Sequence, residues 1–325
     1  MLQLNILKTI CKICCFVFLW FNNRGKKNII TVFLFVSIAG FSQTGHYWWN
    51  QKHDWDGKTH WTQYMTMSPG FLGPNALPVP EFYPASIPST HNLNIGLEGH
   101  YSKGDKTLNS LMDYVFPAFS ERASIQVLYR TIEIYNTDTV TRDLRASRDY
   151  NTTGTSMGDV YVSTYIQLIK DHEKLPDIML SANIKTASGT NLEAARNTDT
   201  PGYWFDVTMG KYIHITKQSK LKIYAKGGFY AYQKFKYNEY QNDACLYGIG
   251  FLANIKNLKL EQQLTGYHGY FNNGDRPMVY RIKINGPLSN RLTYKIMFQQ
   301  GFNDFNYSSL RFAIGYQLKT ITADI

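Results

Sequence analysis

The chain has 325 residues, 44% of them hydrophobic and 15% aromatic, with Tyr (24) outnumbering Phe (19), which excludes disorder over most of its length. Charged residues make up 18% and mean hydropathy is −0.32, too little charge for an average soluble enzyme and too polar for a bundle of membrane helices. Removing a leader with Lys8, Lys12, Arg24, Lys26 and Lys27 lowers the formal charge of +10 by five, so bulk charge argues for no nucleic-acid partner.

The chain opens with two apolar stretches, 14–21 and 29–41, separated by "NRGKK". The second predicts the export signal: Lys26 and Lys27 supply the positive flank, 29–36 the apolar run, and "SIAGFS" the small-residue approach to cleavage before Gln43. A membrane anchor is the competing reading, but each run is shorter than the roughly 20 residues a spanning helix needs. Residues 1–42 are therefore read as the leader, with the first 25 as an upstream extension of the true start. Cys11, Cys14 and Cys15 fall inside it without the second ligand pair of a zinc site, and only Cys245 follows, so no metal or cofactor is expected.

Residues 43–91 form a Trp- and Pro-rich segment. "HYWWNQKHDWDGKTHW" holds Trp48, Trp49, Trp55 and Trp61, read as anchors at a membrane interface or as stacking platforms for a ligand. His46, His53 and His60 recur every seven residues, but no helix phase or carboxylate pair makes them a metal site, and they are read as solvated or interfacial. "HWTQYMTM" (60–67) is a candidate first strand. "SPGFLGPNALPVPEFYPASIPST" (68–90) then holds six of the eleven prolines. Proline lacks the N–H that a ladder needs, so this stretch is neither helix nor wall strand. In lipid, irregular backbone survives only when covered by protein or facing water. The apolar Phe71, Leu72, Leu77, Val79, Phe82 and Tyr83 argue against a solvated linker. A plug inside a barrel or a periplasmic collar is predicted, with Phe71, Pro74, Asn75, Pro78 and Pro80 as its contact residues.

From residue 92 to 325 the dominant period is two, in segments of about ten to fifteen residues divided by Gly, Asn, Asp and Pro. Eleven strands are predicted, starting at "NLNIGLEGHYS" (92–102) and "ASIQVLYRTIEIY" (123–135) and ending at "LRFAIGYQL" (310–318); with 60–67 the count becomes twelve, an even number suited to a closed barrel. Aromatics near strand ends (Tyr203, Trp204, Tyr230, Tyr232, Tyr267, Tyr270, Phe271) read as interfacial girdles. The fold class is thus all-β: a transmembrane antiparallel β-barrel of about 12 strands with an irregular Pro/Trp-rich N-terminal segment. A soluble sandwich is the alternative.

Catalytic motifs are few. "GTSMG" (154–158) fits G-x-S-x-G, but a polar loop precedes Ser156 and a strand follows it, where a nucleophile elbow needs strand then helix, so a hydrolase is a remote reading and the chain is taken as a non-enzyme. The polar face of the strands carries Arg130, Lys185, Lys222, Lys226, Lys259, Arg281, Lys283, Lys295 and Arg311 against Glu98, Asp159, Asp177, Asp206 and Glu261. Nine cations over five anions predict a basic lumen that attracts anions. The competing reading places several of these at lipid phosphates.

The stretches "TGTSMGDVYVSTYIQL" and "NTDTPGYWFDVTMGKYI" resemble the outer-membrane barrel transporters of the MetA-pathway of phenol degradation type, in Gly158–Asp159 leading into a strand and in a later Asp-containing loop followed by Gly, an aromatic pair and a strand. The resemblance covers about 160–230 and implies a barrel of about twelve strands and uptake of small apolar or aromatic compounds. The terminal "ADI" departs from the aromatic that ends many barrel strands, although "FAIGYQL" lies just upstream. The resulting expectation is an outer-membrane pore or transporter in a Gram-negative envelope, with lipid and a small anionic or aromatic solute as partners. Its rival is a non-conducting barrel that docks another envelope protein.

Overall fold

The computed structural model describes residues 18–23, 26–31, 46–88, 90–118, 120–214 and 219–318. The chain divides into a unit Met1–Gly45 and a unit His46–Ile325. In the first, β1 (Phe18–Asn23) and β2 (Lys26–Thr31) pair as an antiparallel hairpin. The rest of the predicted leader, its cleavage region included, lies outside the described residues, as do 319–325 with the terminal "ADI".

The second unit starts with α1 (Tyr47–Lys52) and a 3-10 turn (Trp61–Tyr64), then runs irregularly to residue 88. The wall follows as β3 (Asn92–Ser102), β4 (Asp105–Ala118), β5 (Ser120–Thr137), β6 (Thr153–Ser156), β7 (Val160–Ile169), β8 (Asp177–Lys185), β9 (Gly202–His214), β10 (Ser219–Gln233), β11 (Gln241–Ile255), β12 (Leu258–Gly269), β13 (Met278–Pro287), β14 (Leu292–Asn303) and β15 (Ser308–Gln317). A short helix α2 (Thr139–Leu144) lies between β5 and β6. Every pairing is antiparallel between successive strands, except that β6 pairs only with the last turnward residues of β5, leaving β5 to pair directly with β7. The ring closes where β15 meets β3, Ile314 opposite Ile95 and Phe312 opposite Leu97. Twelve strands therefore form a closed antiparallel barrel, which removes every sheet edge from the wall.

Eleven of these strands coincide with the predicted ones, and the twelfth is a correction. Residues 60–67 contain the 3-10 turn Trp61–Tyr64 and pair with no strand, while β4 completes the ring between β3 and β5. In β4 the inward face carries buried Leu111 and Val115 beside outward Leu108 and Met112, so apolar residues on both faces hide the period of two. Met65 and Met67 pack instead into an apolar cluster inside the barrel.

Elsewhere the alternation sorts the two faces as expected for a wall set in lipid. On β10, Lys222, Tyr224 and Lys226 are buried while Ile223 and Phe229 are exposed; Ile249, Phe251, Phe312 and Ile314 also point outward. A soluble sandwich would bury that apolar face instead. The two rims differ. One carries the longer connections, 138–159, 186–201, 234–240 and 270–277, and the other carries tight ones such as 256–257 and 288–291.

Candidate functional site

The proline-rich segment lies inside the ring, and its partners descend from one rim to the other. At the long-loop rim, Ser68 Oγ donates to Asn273 O (2.7 Å), Gly70 N to Gly274 O (3.0 Å) and Gly73 N to Ala195 O (2.8 Å). Below it, Asn75 donates to Glu133 and Asn109, and Tyr267 Oη donates to Leu77 O (3.1 Å). Midway, Arg281 Nη2 donates to Val79 O (2.6 Å) and Gln263 Nε2 to Phe82 O (2.7 Å). Near the tight-turn rim, Gln167 Nε2 donates to Ala85 O (3.1 Å) while Gln167 Oε1 accepts from Ile87 N (3.1 Å), and the chain then emerges into β3. The segment donates at the long-loop rim, but from Leu77 to Ala85, where three prolines remove N–H groups, it mainly offers carbonyl acceptors to wall side-chain donors.

Pro74, Asn75 and Pro80 are buried along this route, and Phe71 and Pro78 are half-buried. The apolar residues of the segment nucleate a core within the upper half of the barrel: Leu72, Leu77 and Val79 join Met65, Tyr161, Trp204, Tyr230, Tyr232, Tyr267 and Phe305. This corrects the girdle expectation for Trp204, Tyr230, Tyr232 and Tyr267, which face inward and stack on one another, with Tyr230 and Tyr267 in a T-shaped pair at 5.0 Å. Tyr203 and Tyr270 are exposed.

The cations singled out in the sequence are placed as follows. Lys222 pairs with Asp177 (2.5 Å) and reaches Ala85 O (3.4 Å). Lys226 stands 3.8 Å from Asp206 with its ammonium 4.7 Å above the Phe82 ring. Arg130 lies 3.5 Å from Glu98 and over Tyr161. Arg281 binds the Gln299 side chain (2.6 Å) besides the carbonyls of Val79 and Pro80. Lys283 and Arg311 both pair with Glu81 (3.0 and 2.8 Å), and Arg311 also with Glu98 (2.7 Å). Lys295 lines the interior with no carboxylate within ion-pair distance among the described residues. Lys259 shares the inward parity but sits exposed at the tight-turn rim. Sequence reasoning missed Glu81 and His100, although Glu81 is the single acid between residues 57 and 97.

A cavity of about 200 Å³ remains beside the segment, on the side of β3–β5 and β13–β15. Val79, Glu81 and Tyr83 form one wall, and Arg130, Arg281, Lys283, Lys295 and Arg311 face them with Glu98, Asp113 and Glu261. This volume falls below the ~300–1,000 Å³ of drug-sized pockets.

Above the cavity a buried ion network ties loop to wall. Arg196, from the loop 186–201, donates through Nε to Glu133 (2.5 Å), through Nη1 to Asp105 (2.7 Å) and through Nη2 to Thr107 (2.6 Å). Arg145 and Tyr307 also bind Asp105 (2.6 and 2.8 Å). Burial disfavours the Arg196 charge, but the Glu133 and Asp105 carboxylates outweigh it and hold its pKa above the ordinary value.

The tryptophans cap the same rim through protein contacts. Trp49 is fully buried with its indole N–H on Ala146 O (3.0 Å), which leaves no ring face for lipid or ligand. Arg142 covers Trp48 at 4.2 Å, Arg148 lies 5.7 Å from the Trp61 ring, and Trp55 donates locally to Thr59 O (2.7 Å). Ser156 is buried against Glu133 (3.2 Å) at the end of β6, and β7 follows rather than a helix. No cluster of three metal-ligating side chains occurs among the described residues.

No family model and no curated protein matches the chain. Among solved structures it is similar to an outer membrane channel from Pseudomonas putida F1, with a TM-score of 0.49 and 9% identity over 74% of this chain and 100% of that one. It is also similar to the KdgM porin in complex with disordered oligogalacturonate (0.43, 10%, 70% and 99%) and to the NanC porin (0.44, 12%, 69% and 100%). At these values the likeness carries no residue-level correspondence, and the barrel rests on this chain's own strand pairing.

Proposed function

We propose that the chain is an outer-membrane pore or transporter for small solutes and that residues 68–90 are its lumen plug. The observation that carries the reading is a closed, apolar-surfaced barrel whose wall cations, matched by acids while the interior is filled, face a segment held there by hydrogen bonds rather than by strand pairing. Such contacts separate one by one, whereas a wall strand separates only with its whole ladder. The long loops then face outward and the tight turns face the periplasm of a Gram-negative envelope, reached after cleavage of the leader. The solute is anionic or aromatic: the cations favour the first, and the resemblance to the phenol-degradation barrels, together with inner Tyr and Trp side chains, favours the second.

The test is conductance of the mature chain in a planar bilayer, with and without residues 46–90. The deletion starts at 46 because 46–67 is anchored at the opposite rim from residue 91. Conductance that rises on deletion, with a reversal potential showing anion preference, is expected. Silence of both forms in a folded, heat-modifiable barrel would favour the second reading, a non-conducting barrel docking an envelope partner, to which the packed core in the upper half lends support.

A further inference from the structure

Glu81 is the only acid of the inner segment, and its carboxylate sits between two wall cations, Lys283 at 3.0 Å and Arg311 at 2.8 Å, on the edge of the cavity. Arg281 and Lys295 line the same cavity, Arg281 held by carbonyls and Lys295 without a carboxylate in reach among the described residues. Glu98, the neighbouring acid, belongs to the wall and is almost fully buried against Arg311, Arg130 and His100. Glu81 differs from it in two ways: it rides on irregular backbone, and its side chain keeps 33% of its exposure.

We infer that Glu81 is a tethered stand-in for the carboxylate of the solute. A small organic carboxylate entering the cavity takes over Lys283 and Arg311, Glu81 leaves with its segment, and the charge of the cluster stays balanced throughout. Without a replacement anion, withdrawing Glu81 leaves Lys283 with no carboxylate and Arg311 with Glu98 alone, a loss of pairing that favours the seated segment. Binding and opening are thereby linked: the ligand favours the open state by its greater affinity for it. This inference rests on the pore reading.

The test uses the full mature chain with benzoate as probe and benzyl alcohol as its neutral counterpart. Benzoate should raise wild-type open probability several-fold and speed amide exchange across 74–88, while benzyl alcohol does neither. Glu81→Gln should open without benzoate, Lys283→Gln should lose the benzoate response, and Glu81→Asp, which keeps charge but shortens reach, should fall between wild type and Glu81→Gln. Heat-modifiable migration checks that each variant is folded. If the 46–90 deletion conducts but benzoate and Glu81→Gln leave conductance and exchange unchanged, the inference is overturned and the pore stands. Silence of a folded deletion form overturns the pore reading and the inference with it.

Discussion

Arg196 shows how one side chain can close a rim: three of its nitrogens are committed, to Glu133, Asp105 and Thr107, and its guanidinium also lies 4.7 Å from the Tyr135 ring. Truncation to Met leaves two carboxylates buried with fewer counter-charges, and losing one member of a buried pair costs about 3–5 kcal/mol. Arg196→Met is expected to raise amide exchange across 186–201 and to lower the unfolding midpoint. Arg196→Lys is expected to rescue little, because a single ammonium cannot span both acids in the geometry of a planar fork. On the exposed side of the same rim, Asp138 caps α2 through the Thr141 N–H (2.7 Å). Hydrogen bonds from the Thr141 backbone and hydroxyl hold its pKa below the ordinary 3.8. The cap is therefore complete above that value and is lost as pH falls through the lowered folded one. Asp138→Ala should mimic acid, loosening 139–144 by about 1 kcal/mol in amide exchange, with no further change below pH 3.8.

The strands and the inner segment obey opposite rules. A wall strand must keep a lipid face, so Ile249→Lys on outward β11 is expected to cost about 2–4 kcal/mol in denaturant unfolding from vesicles if it lies near the midplane, and Gly250→Ser on the adjacent inward position to clash with Tyr224 instead. The segment must satisfy carbonyls. Gln263→Leu leaves Phe82 O without its donor and should cost about 1–3 kcal/mol locally, read as faster exchange at 80–88 with the wall amides unchanged. β4 was illegible as a strand because apolar residues stand on both of its faces, Leu111 and Val115 buried inside the ring and Leu108 and Met112 exposed outside, which blurs the alternation. Residues 60–67 mislead in the opposite direction: Met65 and Met67 alternate like strand residues but serve the apolar core inside the ring.

Across the barrel as a whole, filling the interior reverses the meaning of its polar residues. Lys222, Arg281 and Arg311 are apt donors for a passing anion, yet in this state they hold Ala85, Val79 and Glu81. Anion preference is therefore expected to be weak in the intact chain and strong after deletion of 46–90, a difference measurable as a shift in reversal potential. Barrel class, eleven of the twelve strands and the exclusion of the proline stretch from the wall were all readable along the chain, because the period of two and the missing proline N–H are local properties of the backbone. The twelfth strand, the inward turn of Trp204 and Tyr267, and the engagement of the lumen cations were not readable in that way. They depend on which side chains meet across the ring, and a residue's partner there can lie far along the chain, as Gln263 and Phe82 do at a separation of 181 and Arg311 and Glu81 at 230.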